Sequence, residues 1–297
     1  MAKPSIGRWT NPEAERRFLA LEQELRAEAW PEPPDEIEVD TRFGRTLAYH
    51  WAGEGTPVVF LHGYGATSVM WAPLMRRLGQ RASIALDTVG DAGRSVQTAP
   101  ITTPVDLADW LAEALTALDV ARAHLIGASY GGWIVLLTAL HHSERVVSIS
   151  LLEPIGLEKL NMARFISWGA LCGLAAVSPD PIRRRAAVRL RQSLLNDKRW
   201  RRMGLTSYLR HRFRLPQPTP LTDADLAAIQ VPTLLLLGEK SEVQRSARVL
   251  ARAQQLIPDL DAQLVAGAGH SLPVDQADKV ADRLSRFLAA HSSTGDA

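Results

Sequence analysis

Short apolar runs of strand length alternate with amphipathic helical stretches along most of the chain. Six runs predict buried strands, at 57–61, 83–86, 123–126, 146–152, 233–237 and 262–265. Between or beside them, helical periodicity is expected at 68–79, 104–119, 130–142, 243–256 and 274–291. Continuous apolar strands that alternate with helices are typical of a parallel sheet covered on both faces. The pattern therefore predicts an α/β fold.

Two further segments, 37–40 and 46–51, predict an antiparallel hairpin at the sheet edge, which brings the mostly parallel sheet to eight strands. Residues 1–35 contain a predicted helix over 12–29 and a connector stiffened by Pro31, Pro33 and Pro34. The stretch 154–220 carries helical patterns and no strand signal, so we expect an inserted helical cap there. The α/β core then comprises 36–153 and 221–297, and residues 291–297 are expected to form a frayed tail.

Composition narrows the class of protein. The chain has 297 residues, of which 46% are hydrophobic and 22% charged, so bulk disorder is excluded. The single cysteine, Cys172, excludes a disulfide scaffold. No apolar run reaches 18 residues and the N-terminus has no signal-like apolar stretch, so we expect a cytoplasmic protein without a membrane partner. The net charge of +2 gives no argument for nucleic acid.

That small net charge hides an asymmetry in the predicted cap. Residues 181–220 contain 12 Arg or Lys and one acid, Asp197, which gives this segment a charge of +11 and the rest of the chain −9. One interpretation is a recruitment surface for an anionic partner such as an acyl carrier protein or a CoA-type acyl donor. The other is a solvated basic face paired with the acidic body.

A candidate nucleophile lies in the sequence Gly127-Ala-Ser129-Tyr-Gly131, between a predicted strand and a predicted helix. A tight strand-to-helix turn crowds the backbone, so glycines are needed on both sides and the serine hydroxyl is held above the sheet. A serine hydroxyl needs a base to act at neutral pH. His270, in the loop between the last strand and the last helix, is the candidate at the same sheet edge.

The base needs a carboxylate to orient it. The loop after the penultimate strand offers Glu242, which we rank first, and Glu239, which we rank third. Glu153, at the end of the strand 146–152, ranks second.

An oxyanion site requires two N–H donors, for which we predict the backbone groups of Tyr130 and Tyr64. The substrate pocket is expected to include His62, Trp133, Phe165 and Trp168, and no metal or organic cofactor is expected. Three residues after the strand 83–86 are predicted to fix loops: Asp87, Asp91 and Arg94.

These motifs, with His62-Gly63 after the first buried strand and Gly269-His270 after the last, resemble the α/β-hydrolase superfamily over about residues 30–290. The resemblance is closer to bacterial carboxylesterases of the naproxen-esterase type, through Thr41-Arg-Phe-Gly44, Leu234-Leu-Leu-Leu-Gly-Glu239 and Ile257-Pro-Asp-Leu. Many hydrolases of this plan carry Asp about three residues after the strand-ending glycine, where this chain has Ser241. The closer group carries a Glu in a G-E-x-E-V pattern, which favours Glu242 although the segment here is one residue longer.

The resemblance implies a serine hydrolase that cleaves a small carboxylic ester through an acyl-enzyme. A second hypothesis keeps the catalytic groups but makes the chain a thioesterase, lactonase, cyclase or acyltransferase of a specialised pathway, acting on an anionic or carrier-bound acyl group. A third is a ligand-binding protein without catalysis on the same fold.

Overall fold

The strands form one main sheet and a separate two-stranded sheet, which pairs Arg8–Trp9 with His211–Arg212. The computed structural model describes residues 5–30, 32–79 and 81–292, so Pro31 of the predicted connector and all but the first two residues of the predicted tail lie outside the described residues. Its strands are β1 (Arg8–Trp9), β2 (Asp35–Thr41), β3 (Gly44–Trp51), β4 (Glu54–Leu61), β5 (Arg81–Leu86), β6 (Val96–Gln97), β7 (Ala123–Ala128), β8 (Val146–Leu152), β9 (His211–Arg212), β10 (Thr233–Gly238) and β11 (Leu260–Val265).

The main sheet confirms the predicted fold class. Its eight long strands follow the order β11-β10-β8-β7-β4-β5-β3-β2, and the pairs from β11 to β5 are all parallel. The predicted hairpin β2–β3 adds the antiparallel edge. A ninth strand, β6, pairs with β3 over two residues, which is too short for a hydrophobic pattern to reveal.

Helices cover both faces of this sheet. The helices of the described residues, both those on the sheet and those of the 154–220 stretch, are α1 (Pro12–Ala29), α2 (Ala72–Leu78), α3 (Pro104–Ala117), α4 (Tyr130–His141), α5 (Met162–Val177), α6 (Asp180–Arg189), α7 (Lys198–Arg210), α8 (Asp223–Ala227), α9 (Ser246–Leu256), α10 (Leu272–Asp275) and α11 (Ala277–His291). Leu235 and Leu237 pack with α3, α4 and α9, whereas Leu234 and Leu236 pack with α1, α2 and α11. Successive side chains thus enter opposite cores, which is why β10 reads as one apolar run.

The stretch 154–220 contains α5, α6, α7 and the short strand β9, with a small apolar cluster of its own formed by Ala175, Ala176, Ala187 and Leu195. The N-terminal segment supports this region, because β1 pairs with β9 and Arg199 forms an ion pair with Glu28 at 2.5 Å. None of the helices in the described residues is long and apolar enough to span a membrane.

This topology sets where the site lies. Strands β4, β7, β8 and β10 are parallel neighbours, so the residues that follow them meet at one edge of the sheet. Those residues include His62, Ser129, Glu153 and the loop 239–243.

Candidate active site

Ser129 lies on a strained turn between β7 and α4. Its φ is +51°, a left-handed conformation that is uncommon for residues other than glycine. A Cβ at Gly131 would overlap the carbonyl oxygen of Leu61, and one at Gly127 would overlap that of Gly131. Gly131 therefore lets the turn approach strand β4, and Gly127 lets the end of β7 approach the first turn of α4.

His270 follows β11 and contacts this hydroxyl. Its Nε2 is 3.1 Å from Oγ of Ser129, and its Nδ1 is 3.0 Å from Oε2 of Glu153. An ionised carboxylate only accepts hydrogen bonds, so Nδ1 is the ring nitrogen that carries the proton and Nε2 is free to accept one from Ser129. The three groups form a continuous hydrogen-bonded chain from hydroxyl to carboxylate.

Glu153 is a buried carboxylate with a full set of donors. Its side chain is 1% exposed, and it follows β8 directly with a φ of +51°. Oε1 accepts from the Gly238 N–H at 2.5 Å, and Oε2 accepts from the Ser241 hydroxyl at 2.7 Å and from the Gln244 amide at 3.2 Å, in addition to His270. These donors stabilise a negative charge in a site from which water is excluded.

The geometry brings a different carboxylate to the imidazole from the one that the sequence ranks first. Glu242, ranked first, does not contact the imidazole ring; its carboxylate accepts from the backbone N–H of His270 at 3.1 Å and from Arg191 at 2.8 Å. Glu239, ranked third, accepts from the Gly267 N–H at 2.9 Å. Glu153 lies at the ring because β8 runs between β7 and β10, so its end faces the gap between Ser129 and the 239–243 loop.

The sequence pattern does not predict the two polar side chains that donate hydrogen bonds to Glu153. These are Ser241 and Gln244. Ser241 had a usable signal, because it occupies the position where hydrolases of this plan often carry an acid. Gln244 had none, since a single glutamine after a loop is ordinary surface composition.

The predicted oxyanion donors lie next to Ser129. Tyr130 opens α4 directly after it, and a Cβ at Gly63 would be 3.4 Å from the Ser129 Cβ, so the loop carrying Tyr64 faces the same atom. Among the described residues, neither backbone N–H of these two tyrosines donates to a protein acceptor. Free N–H groups at this place could bind a negative oxygen.

Two predicted pocket residues have other roles. The His62 side chain is buried; its Nε2 accepts from the Thr88 N–H at 3.0 Å and its Nδ1 lies 2.9 Å from the Gly63 oxygen, so it joins two loops. Trp133 is completely buried against Gly156 and Tyr130. Both rings are thus engaged in contacts within the protein and present almost no surface to a pocket.

The other two predicted pocket residues face the site from α5. Trp168 meets the His270 ring edge-on, with centroids 5.6 Å apart, and Phe165 lies 6.1 Å from Trp168. Both are partly exposed, on the helix face turned toward the core. Trp168 therefore places an aromatic surface beside the imidazole, and Phe165 lies next to it.

The loops below the site are fixed by two acids that the sequence singled out. Asp91 accepts from the Gly65 N–H at 3.0 Å, next to Tyr64, and Asp87 accepts from Ser68. Burial raises the pKa of Asp91 to about 6. Arg94, the third predicted loop residue, donates its backbone N–H to Asp87 and pairs with Glu36.

Part of the positive charge of the 154–220 stretch, the predicted cap, is neutralised by acids. Arg183 pairs with Asp180, Arg191 with Glu242, and Arg199 with Glu28. The pairs of Arg191 and Arg199 join this stretch to the rest of the chain, whereas the Arg183–Asp180 pair lies within α6. None of the three supports a carrier-protein site.

Comparison with known proteins places the chain in a family. The model of the alpha/beta hydrolase family matches residues 58–283. Carboxylesterase YbfK of Bacillus subtilis is 28% identical over 296 residues, covering 92% of this chain and 93% of that protein. The crystal structure of naproxen esterase from the same organism superposes with a TM-score of 0.82 at 26% identity, covering 94% of this chain and 99% of that one.

A further relative, the uncharacterized carboxylesterase nap of Bacillus subtilis, is 28% identical over 281 residues, which cover 89% of each chain. The predicted resemblance to bacterial carboxylesterases is thereby confirmed. The chain belongs to the alpha/beta hydrolase family.

Proposed function

We propose that this chain is a serine hydrolase of the carboxylesterase type, which cleaves a small carboxylic ester through an acyl-enzyme intermediate. The observation that carries the proposal is the hydrogen-bonded chain from Ser129 Oγ through His270 to Glu153. The names of the relatives support ester hydrolysis as the reaction type.

In the first half of the reaction, Ser129 Oγ attacks the ester carbonyl while His270 Nε2 takes the hydroxyl proton. Glu153 stabilises the imidazolium that forms and keeps Nδ1 as the donor. The carbonyl oxygen becomes negative in the tetrahedral intermediate, and the N–H groups of Tyr64 and Tyr130 donate to it. When the intermediate collapses, His270 gives its proton to the leaving alcohol and Ser129 remains acylated.

In the second half, water takes the place of the alcohol. His270 removes a proton from this water, the resulting nucleophile attacks the acyl carbonyl, and the same two N–H groups stabilise the second intermediate. Collapse returns the proton to Ser129 Oγ and releases the carboxylic acid. No step in this sequence calls for a metal or an organic cofactor.

We further propose that residues 154–220 act as a cap that sets which esters are accepted. Trp168 on α5 lies against His270, with Phe165 beside Trp168, and the two rings offer apolar contact to the acyl or alcohol group. A shared fold does not fix the substrate, so the substrates of the relatives are not transferred to this chain.

The test compares the full chain with Ser129→Ala in hydrolysis of p-nitrophenyl butyrate and in labelling by a fluorophosphonate probe. The expected result is multiple turnover and labelling for the unchanged chain, with both lost in Ser129→Ala; kcat should fall by roughly 10⁶-fold. Ser167→Ala is the matched control, since this serine is exposed on α5 and donates only within its helix.

Two results would overturn the proposal. Ester hydrolysis retained by Ser129→Ala would exclude this serine as the nucleophile. Labelling of Ser129 without turnover of any ester in a broad panel would favour the ligand-binding protein without catalysis.

A further inference from the structure

Glu242 joins the histidine loop to the cap. Its Oε2 accepts the backbone N–H of His270 at 3.1 Å, while its Oε1 accepts from Nη1 of Arg191 at 2.8 Å. The Glu242 side chain is 13% exposed and that of Arg191 is 31% exposed, so the pair is partly shielded from water. An ion pair in such a place is stronger than a pair on the open surface.

The backbone around this contact is shaped to admit it. A Cβ at Gly269 would lie 2.6 Å from Oε2 of Glu242 and 2.9 Å from Cδ of Arg191, so only glycine lets both side chains approach. Arg191 itself has a φ of +49°, a conformation that costs energy and that persists where the surroundings enforce it. Its Nε also donates to the Gly267 oxygen at 3.2 Å.

A second cap arginine holds the same loop. Arg164, on α5, donates to two backbone carbonyl oxygens, from Nε to that of Glu242 and from Nη2 to that of Ser241, each at 2.6 Å. Ser241 in turn donates to Glu153. The two arginines therefore connect the cap to both sides of the imidazole: one through the backbone of His270, and the other through the partner of its carboxylate.

We infer that Glu242 and Arg191 are positioning residues that aim His270 at Ser129, and that the cap completes the active site through them. The inference rests on the proposed function of Ser129, His270 and Glu153. A bond to the backbone N–H of His270 fixes the loop from which the ring projects, and reacting groups must be held within a fraction of an ångström. Loss of the ion pair should therefore lower the rate of chemistry for every ester and leave binding nearly unchanged.

The experiment measures kcat and KM of the full chain for p-nitrophenyl acetate and p-nitrophenyl butyrate in four variants: Arg191→Ala, Arg191→Lys, Glu242→Gln and Arg191→Ala with Glu242→Gln. We expect kcat to fall by roughly 10- to 100-fold in the alanine and glutamine variants, with KM changed little. Arg191→Lys keeps the charge and should recover part of kcat. The double variant should lose no more than the worse single variant, because both changes remove one contact.

Arg185→Ala is the matched control, an exposed arginine of α6 for which the described residues offer no side-chain partner. An unchanged melting temperature identifies folded variants. The conservative Arg191→Lys and Glu242→Gln serve if the alanine variant does not fold.

Wild-type kcat in Arg191→Ala and Glu242→Gln would overturn the inference and leave the proposed function intact. A loss in Glu242→Gln as large as that in His270→Ala, together with an active Glu153→Gln, would overturn it differently, by making Glu242 the acid. Activity in Ser129→Ala would refute the proposed function itself, whatever the cap variants do.

Discussion

The hydroxyl of Ser241 donates a 2.7 Å hydrogen bond to Oε2 of Glu153, the same oxygen that lies 3.0 Å from Nδ1 of His270. Ser241 stands three residues after Gly238, where many hydrolases of this plan carry the acid. In this chain a hydroxyl occupies that position and the carboxylate comes from the end of the neighbouring strand β8. The side chains of Glu153 and Ser241 meet because β8 and β10, which they follow, are adjacent and parallel.

The first prediction concerns Glu153. Replacing Glu153 by Gln should lower kcat by roughly 10⁴-fold, because an amide cannot stabilise the imidazolium and can hold His270 in the wrong tautomer. Steady-state hydrolysis of p-nitrophenyl butyrate measures the loss. Glu239→Gln is the control and should keep a kcat close to that of the unchanged chain, since within the described residues the Glu239 carboxylate accepts only from the Gly267 N–H. Equal activity in both variants would exclude Glu153 as the acid.

The second prediction moves the acid to its neighbour. Adding Ser241→Asp to Glu153→Gln should raise kcat at least about tenfold above that of Glu153→Gln. The reason is that the Ser241 hydroxyl lies within hydrogen-bond distance of the Glu153 oxygen that contacts His270, so a carboxylate at position 241 would lie close to the ring. Ser241→Asp alone should be poorly active, since two buried carboxylates would repel each other. A double variant no more active than Glu153→Gln would show that position 241 cannot reach the ring.

The third prediction is a pH dependence of stability. Burial raises the pKa of Asp91 from 3.8 to about 6, so the folded state binds the proton more tightly than the unfolded chain does. The Asp91 contribution to stability is therefore fully present below about pH 4 and is lost as the pH rises through about 6. In Asp91→Asn this loss is absent, so relative to the unchanged chain the variant should gain up to about 3 kcal/mol between pH 4 and pH 7.

Urea unfolding of both chains at pH 4, 5, 6 and 7 measures that difference, in which the other titrating groups cancel. The amide introduced by Asp91→Asn keeps one oxygen that can accept from Gly65 and Ala92, so the loop contacts survive in part. A difference in unfolding free energy that does not change with pH would contradict the raised pKa of Asp91.

The fourth prediction concerns the turn at Ser129. Gly131→Ala should destabilise the fold by more than about 3 kcal/mol or prevent folding, because its Cβ would overlap the Leu61 oxygen and lie 2.5 Å from that of His62. Gly204→Ala is the control: it lies within α7 with nothing near its Cβ, and it should stabilise the chain by up to about 1 kcal/mol. Thermal and urea unfolding compare the two, and a Gly131→Ala chain of normal stability would contradict the close packing of this turn.

By itself, the sequence determined the layered α/β fold, the hairpin edge, the helix α1 and the positions of Ser129 and His270 at one sheet edge. It could do so because these depend on local signals: strand-length apolar runs, helical periodicity and glycines that a crowded turn requires. The two-residue strands β1, β6 and β9 carry no such signal and depend on partners far away in the chain.

Only the tertiary structure decided which carboxylate meets His270 and which aromatic side chains remain accessible. Glu153, Glu239 and Glu242 all follow strands that end at the same edge, and the choice among them depends on the order of β7, β8 and β10 across the sheet and on side-chain directions. Trp133 and Trp168 look alike in sequence, yet one is buried under the 154–157 segment and the other faces the imidazole. Contacts between distant segments are not encoded in local pattern, so this selection required the folded chain.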